Sequence, residues 1–303
     1  MRAVLIGAVE STRIALRVLA EAPEWELAAV VTLPPDLAAR HSDFVDLGDE
    51  TLAAGAKLIH APNGNAPDVL AQIRDARPDV MFVIGWSQLC KPEMLGIAAG
   101  GAIGYHPAPL PHLRGRAVIP WTILLDQRVT AGSLFWIDEG VDSGPLVAQH
   151  YFHLAADETA QSLYDRHMEA LEAMMRDVAP KLAAGTAPRI VQDERYASWT
   201  AKRTAADGLI DWTLPAREIE RLIRAVGRPY PGAFTSAGCE KLVIWAAEYW
   251  PDAARHHAAA GQVIALEGGS FAVRCGDGIG LLVTDWERES GKSPRLHGRL
   301  GES

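Results

Sequence analysis

Cysteine is scarce. The three present, Cys90, Cys239 and Cys275, lie far apart. Their spacing excludes a disulfide scaffold and a paired-cysteine zinc site, and fits reduced thiols in a cytoplasmic chain. No run of about 18 apolar residues occurs, so no spanning helix is expected. Residues 1–7 are broken by Gly7 too early for a signal peptide. A basic excess is missing as well. There are 16 Lys and Arg against 25 Asp and Glu up to residue 200, and 13 of each beyond it. Such a chain offers no basic face to a nucleic-acid backbone.

Several chemical signatures are also lacking. Gly7 is followed by Ala8-Val9-Glu10-Ser11 rather than a glycine-rich phosphate turn, which removes the usual fingerprint of a nicotinamide cofactor. There is no Walker sequence and no GxSxG elbow. Asp138, Glu139 and Asp142 have neither the spacing nor the ligand number of a hard-metal loop, and no metal is expected.

What is present suits a soluble enzyme: 49% hydrophobic and 22% charged residues in 303, enough for a sizeable core. Short apolar runs at 3–6, 27–32, 57–60, 80–84 and 102–105 read as strands. They alternate with helical patterns, one capped by Ser11 and running through Leu19, one over 67–76, and one opened by Pro92. That alternation predicts an α/β fold, a Rossmann-like, mostly parallel sheet with helices on both faces. Further strands are expected at 131–137 and 145–150, and an amphipathic helix over 161–179 that Pro180 ends. A connector over 181–198 leads to a boundary near residue 200, giving domains 1–200 and 201–303. Beyond a helix at 216–226, short segments at 241–246, 261–266, 271–275 and 280–284 suggest a small β-barrel of OB type. The tail from Ser290 reads as frayed. The unpatterned loop 34–49, with Arg40 and His41, is long enough to be functional.

The chemistry centres on His106-Pro107-Ala108-Pro109-Leu110-Pro111, then Arg114-Gly115-Arg116, and later Asp142-Ser143-Gly144. Three prolines stiffen the chain directly after a strand, where ligands of open α/β sheets bind. A solvated His on a proline-rich loop and a preorganised acid–base group both fit this pattern. A carboxylate facing an imidazole fixes its tautomer and favours its charged form. No Ser or Cys nucleophile stands nearby, which favours direct transfer between two substrates.

The block 101–149 resembles the signature of formyltransferases that use N10-formyltetrahydrofolate. There a strand ends in Asn-x-His-Pro-Ser-x-Leu-Pro, an Arg-Gly follows, and an Asp sits on a loop before a Gly. His106, Pro107, Leu110, Pro111, Arg114, Gly115, Asp142 and Gly144 stand at those positions, with the same 36-residue spacing from His to Asp. Ala201-Lys202-Arg203, Ile210-Asp211-Trp212, Ile223-Arg224-Ala225 and Tyr230-Pro231-Gly232-Ala233-Phe234 extend the resemblance into the linker and C-terminal domain. The chain is similar to methionyl-tRNA formyltransferase and to the module acting on UDP-4-amino-4-deoxy-arabinose. Arg203-Thr204 and Arg274-Cys275-Gly276-Asp277-Gly278 lean toward the latter.

The resemblance implies a formyl transferase with N10-formyltetrahydrofolate as co-substrate. The folate would lie against Ile84, Trp86, Gln88, Leu89, Asp138, Gly140, Val141 and Gly144. Catalysis falls to His106 and Asp142, and Glu10, Ser87, Tyr105, Arg114 and Arg116 face the acceptor. Gly104 occupies the place of the family's Asn and cannot hold an oxyanion. Either Tyr105, Ser87 or a water substitutes, or the chain binds folate without catalysis. Trp86, on the loop after a strand, is the tryptophan expected to stack on a ring. The acceptor expected first is a nucleotide-linked aminosugar, then a hydroxyornithine-type siderophore precursor, and last initiator tRNA. A small-molecule amine is thus the expected partner, with no membrane and no nucleic acid; a homodimer stays open.

Overall fold

The computed structural model describes residues 1–40 and 43–302; His41 of the 34–49 loop lies outside the described residues. The chain forms two compact units. The first comprises Met1–Val118, Val129–His153 and Tyr164–Ala201, the second Ile119–Arg128, Leu154–Leu163 and Lys202–Ser303. No helix among the described residues is long and apolar enough to cross a membrane.

The first unit is built on a seven-stranded sheet. Its parallel part holds β1 (Arg2–Ile6), β2 (Glu26–Thr32), β3 (Lys57–His60), β4 (Val80–Val83) and β5 (Ala102–His106). The order is β3-β2-β1-β4-β5, so the chain reverses direction across the sheet between β1 and β4. Ala3–Ile6 and all of β4 are buried, because a parallel sheet is covered on both faces and its strands read as continuous apolar runs. Two further strands run antiparallel beyond β5. A short β6 (Arg114–Gly115) precedes them, and β7 (Val129–Trp136) and β8 (Leu146–His153) complete the sheet.

Helices α1 (Glu10–Glu21), α2 (Gly48–Ala53), α3 (Pro67–Ala76) and α4 (Pro92–Leu95) connect the parallel strands. In α3, Pro67 opens the helix and Val69, Leu70, Ile73 and Ala76 bury one stripe, the spacing of an amphipathic helix. Ser11 does not cap α1: the N-cap is Val9, and Ser11 is a buried residue of the first turn. Thr12 explains the change. Its hydroxyl donates to the Ile84 carbonyl at 2.7 Å and accepts from the Val9 N–H at 3.2 Å. This bond draws the helix start onto the end of β4. Gly7 permits the approach, since a Cβ there would lie 1.9 Å from the Ile84 oxygen.

A helix α5 (Val118–Leu124) follows β6, and α6 (Ala160–Ala183) follows β8. The sequence places the end of the long helix at Pro180, but α6 runs through it to Ala183. Pro180 sits in the last turn, where its carbonyl still accepts from Ala184 at 3.0 Å. The described residues of the 34–49 loop include a 3₁₀ turn over Pro35–Arg40 and the start of α2 at Gly48, neither of which its sequence suggests.

The second unit carries α7 (Ala216–Val226), which buries Ala216, Ile219, Ile223 and Val226 along one face. Its sheet is antiparallel: β10 (Ala233–Ala237), β11 (Glu240–Trp250), β12 (Val263–Glu267), β13 (Ser270–Arg274) and β14 (Gly280–Arg288), in the order β10-β11-β14-β13-β12. A short β9 (Trp199–Thr200), in the first unit, pairs with β6. Residues 297–301 of the tail are not frayed. His297 and Leu300 donate to Val263 and Gly261, and Gly301 donates to Ser236, each bond between 2.8 and 2.9 Å. The last residues thus join the two outer strands, and Leu300 is buried. A polar run hides this closure in the sequence, because backbone pairing needs no apolar side chain.

Candidate active site

His106 ends β5 and is buried, at 5% exposure. Its Nε2 lies 2.8 Å from the Leu113 carbonyl, and its Nδ1 lies 3.6 Å from Asp142 Oδ2. The same carboxylate oxygen accepts the Gly115 N–H at 2.8 Å. Leu113 and Asp142 both have left-handed backbone, φ 58° and 52°, a region that non-glycine residues rarely adopt. Two oxygens face the two ring nitrogens, and only the one at Nε2 is within hydrogen-bond distance. The 3.6 Å separation exceeds a hydrogen bond, so Nδ1 remains open to an oxygen placed beside it.

The loop after His106 is braced from behind. Ser133 Oγ donates to the Ala108 carbonyl at 2.6 Å and accepts from Leu110 N at 3.3 Å. Gln149 Nε2 donates to the Leu110 carbonyl at 2.8 Å and to Ser133 Oγ at 2.9 Å. The prolines restrict this loop, and two polar side chains from β7 and β8 fix where it lies. The Leu110–Pro111 peptide is cis.

Gly104 pairs with Phe135 on β7. A Cβ at 104 would meet the Phe135 ring at 3.0 Å and Ile137 Cγ1 at 3.1 Å. The space in front of this glycine is therefore filled by a buried aromatic ring that also packs against Leu110 and Leu146.

Tyr105, expected at the acceptor, points elsewhere because side chains alternate along a strand. Its hydroxyl lies 3.0 Å from His167 Nδ1 and 3.1 Å from the His167 carbonyl. Burial pushes its phenol well above the ordinary tyrosine range. His167 is fully buried on α6, and its Nε2 has no hydrogen-bond partner. Burial, then the charges of His106 and Arg166, push its pKa from 6.5 down to about 3. Unfolded chains take up that proton near 6.5 and folded ones near 3. The stability from a neutral His167 is therefore complete above about pH 6.5 and is lost as pH falls toward 3. Urea unfolding at pH 7 and pH 5 is expected to show a loss of roughly 2 kcal/mol from this group. His167→Gln should remove that part of the slope, and an unchanged slope would reject the assignment.

Arg114 also departs from expectation. It is 2% exposed and its guanidinium is committed inward. Nη1 and Nη2 hold the two Glu194 oxygens at 2.9 and 2.7 Å, and Nε and Nη2 reach Gln192 Oε1 at 3.3 and 2.7 Å. Four of its five N–H donors are used in this way, which leaves one on Nη1 and no bidentate face for an acceptor molecule. Two residues on, Arg116 is exposed, and its side chain has no partner among the described residues. Glu10 is ion-paired with Arg13 at 2.9 Å, and Ser87 is exposed.

The residues assigned to the folate fall into two groups. Ile84 has its side chain in the core, its N–H donates to Ile6 and its carbonyl accepts from Thr12. Trp86 is half-buried against a core cluster that includes Met81, Val83 and Met94, with a buried indole N–H that lacks a partner among the described residues. Gln88 holds the neighbouring loop, accepting from Gly64 N at 3.0 Å and donating to the Pro62 carbonyl at 3.1 Å. Leu89 and Val141 are large apolar residues left 75% and 50% exposed. Asp138 accepts from Gly140 N and Ser143 Oγ at 3.0 and 2.8 Å, shaping the turn that carries Asp142. Gly144 is buried, its carbonyl bound by Gln192. Among the described residues, no group of three or more His, Cys, Asp or Glu could hold a metal ion.

Sequence reasoning missed Ser133, Gln149, His167 and Gln192. None sits in a motif, and each acts across at least 16 residues of chain.

A family model described as formyl transferase matches residues 4–178, and one described as formyl transferase, C-terminal domain, matches residues 202–297. Among solved structures, an N-formyltransferase from Helicobacter canadensis, in complex with folinic acid and dTDP-3-aminofucose, is similar at 15% identity. The match covers 93% of this chain and 98% of that one, with a TM-score of 0.66. HypX from Aquifex aeolicus, in complex with tetrahydrofolic acid, is similar at 17% identity over 93% of this chain and 43% of that one, TM-score 0.64. Methionyl-tRNA formyltransferase from Clostridium thermocellum is similar at 17% identity over 82% and 93%, TM-score 0.60. At these identities the likeness is one of fold.

Proposed function

Since the chain belongs to the formyl transferase family, we propose that it moves a formyl group from N10-formyltetrahydrofolate to the primary amine of a nucleotide-linked aminosugar. The observation that carries the reading is the buried His106 with oxygens facing both ring nitrogens, Leu113 O at 2.8 Å and Asp142 at 3.6 Å. The aminosugar is supported by the acidic charge up to residue 200 and by the dTDP-sugar in a structure that matches nearly end to end. The free guanidinium of Arg116 supplies a bidentate partner for a phosphate.

In the proposed reaction the neutral amine nitrogen bonds to the formyl carbon, and the carbon–N10 bond breaks. The amine loses one proton and N10 gains one, so a formamide and tetrahydrofolate leave. His106 holds the oxygen that becomes negative when the carbon is tetrahedral. Asp142 orients the ring and takes up the amine proton. Most of the rate comes from holding two substrates together and from a preset charge distribution. We assign this chemistry to domain 1–200.

Tetrahydrofolate release from N10-formyltetrahydrofolate tests the reading. The acceptor panel is a UDP- and a dTDP-aminosugar, hydroxyornithine and aminoacylated tRNA. Release is expected only with the aminosugars. Release driven by hydroxyornithine or tRNA would replace the acceptor. Folate binding without release in any case would favour a binding protein.

A further inference from the structure

Gln192 lies on the connector between α6 and β9, in a stretch whose sequence looks solvated. It is nonetheless 5% exposed, and its whole amide is used. Oε1 accepts from Arg114 Nε and Nη2, and Nε2 donates to the Asp142 carbonyl at 2.9 Å and the Gly144 carbonyl at 2.7 Å. The connector is anchored on both sides of it. Ile190 exchanges two backbone hydrogen bonds with Leu146, at 2.7 and 3.0 Å, and Ser198 and Thr200 accept from the N–H groups of Arg114 and Arg116.

We propose that Gln192 is a positioning residue that sets Asp142 against His106. This rests on the function proposed above. Asp142 sits in a left-handed conformation, and one amide grips both its own carbonyl and that of Gly144. A single planar group with two donors fixes the distance between those carbonyls, and with it the direction of the carboxylate. That carboxylate reaches Gly115 N–H, whose neighbour Arg114 is held by the other end of the same amide. The connector therefore closes a ring of contacts, Gln192–Asp142–Gly115–Arg114–Gln192, and the His106 imidazole faces the carboxylate within it. Removing the amide leaves two carbonyls without a donor and frees the Asp142 turn. The Arg114–Glu194 pair would remain.

Gln192→Met keeps the side-chain length and deletes the amide. It is expected to lower kcat on the order of 100-fold, the effect of a small misplacement of a reacting group, with KM for N10-formyltetrahydrofolate little changed. Gln192→Glu retains the acceptor for Arg114 but has no donor for the carbonyls. The same loss in that variant assigns the effect to the Asp142 side, and it carries the test if Gln192→Met fails to fold. In an Asp142→Asn background, single-turnover rates should show no further loss from Gln192→Met, since residues that act through one another are not additive. A merely structural role would give additive losses.

A readout free of turnover is hydrogen exchange at the Gly115 amide, whose acceptor is Asp142 Oδ2. Exchange there should accelerate in Gln192→Met to the level of Asp142→Ala. Native protection of Gly115 in a folded Gln192 variant overturns the proposal. If the unaltered protein releases no tetrahydrofolate, the proposed function falls, and Gly115 exchange still decides the role of Gln192.

Discussion

His106→Ala is expected to reduce formyl transfer by about 10²- to 10⁴-fold, the range seen when a positioned proton donor or oxyanion partner is removed. Asp142→Ala should fall in the same range. Both variants should bind the folate co-substrate almost as the native protein does, because the exposed residues that the resemblance assigns to the folate, Leu89 and Val141, are untouched. The check is rapid-quench turnover beside calorimetric folate titration. His106 loses two contacts of its own on removal, the Leu113 carbonyl and Asp142, and neither is a core packing contact. Asp142→Ala additionally frees the Gly115 N–H. A variant that keeps near-native turnover would show that the reacting oxygen is held elsewhere. Loss of folate affinity in step with turnover would mean that these residues bind rather than catalyse.

Gly104→Asn is expected to make the protein worse. By motif it restores a donor, yet the first carbon of the new side chain would stand 3.0 Å from the Phe135 ring and 3.1 Å from Ile137. Overpacking of this kind costs about 1–3 kcal/mol. Phe135 cannot retreat freely, because it packs against Leu110 of the proline loop and Leu146. The expected result is a lower denaturation midpoint and no gain in turnover. Adding Phe135→Leu should return part of the stability. A tenfold gain from Gly104→Asn alone, about 1.4 kcal/mol in the barrier, would instead mark the native site as impaired and would revive the reading of a folate-binding protein without catalysis.

Much of the fold is legible because its signals are local. Buried parallel strands such as Val80–Val83 read as apolar runs, and α3 and α7 read from their stripes. The errors arise where a polar residue does something that local preference does not encode. Ser11 looks like a cap, but Thr12 captures the Ile84 carbonyl 72 residues away and shifts the helix start. Arg114 looks like a free cation, and only the fold brings Gln192 and Glu194 to it. Tyr105 is next to His106 in sequence and on the other face of the strand in space. In the candidate site, His106 and Asp142 carry a visible pattern, whereas the Ser133–Gln149 brace and Gln192 carry none. Those three are hydrophilic residues on strands and a connector, where solvation is the ordinary expectation.

The closure of the second sheet by residues 297–301 bears on how its edges are shielded. Without residues 297–301, the carbonyls of Val263 on β12, Gly261 before it and Ser236 on β10 would each lose a backbone donor. Open strand edges are templates for pairing with other chains. Residues 297–301 thus act as a cover over backbone that would otherwise be open to a second chain.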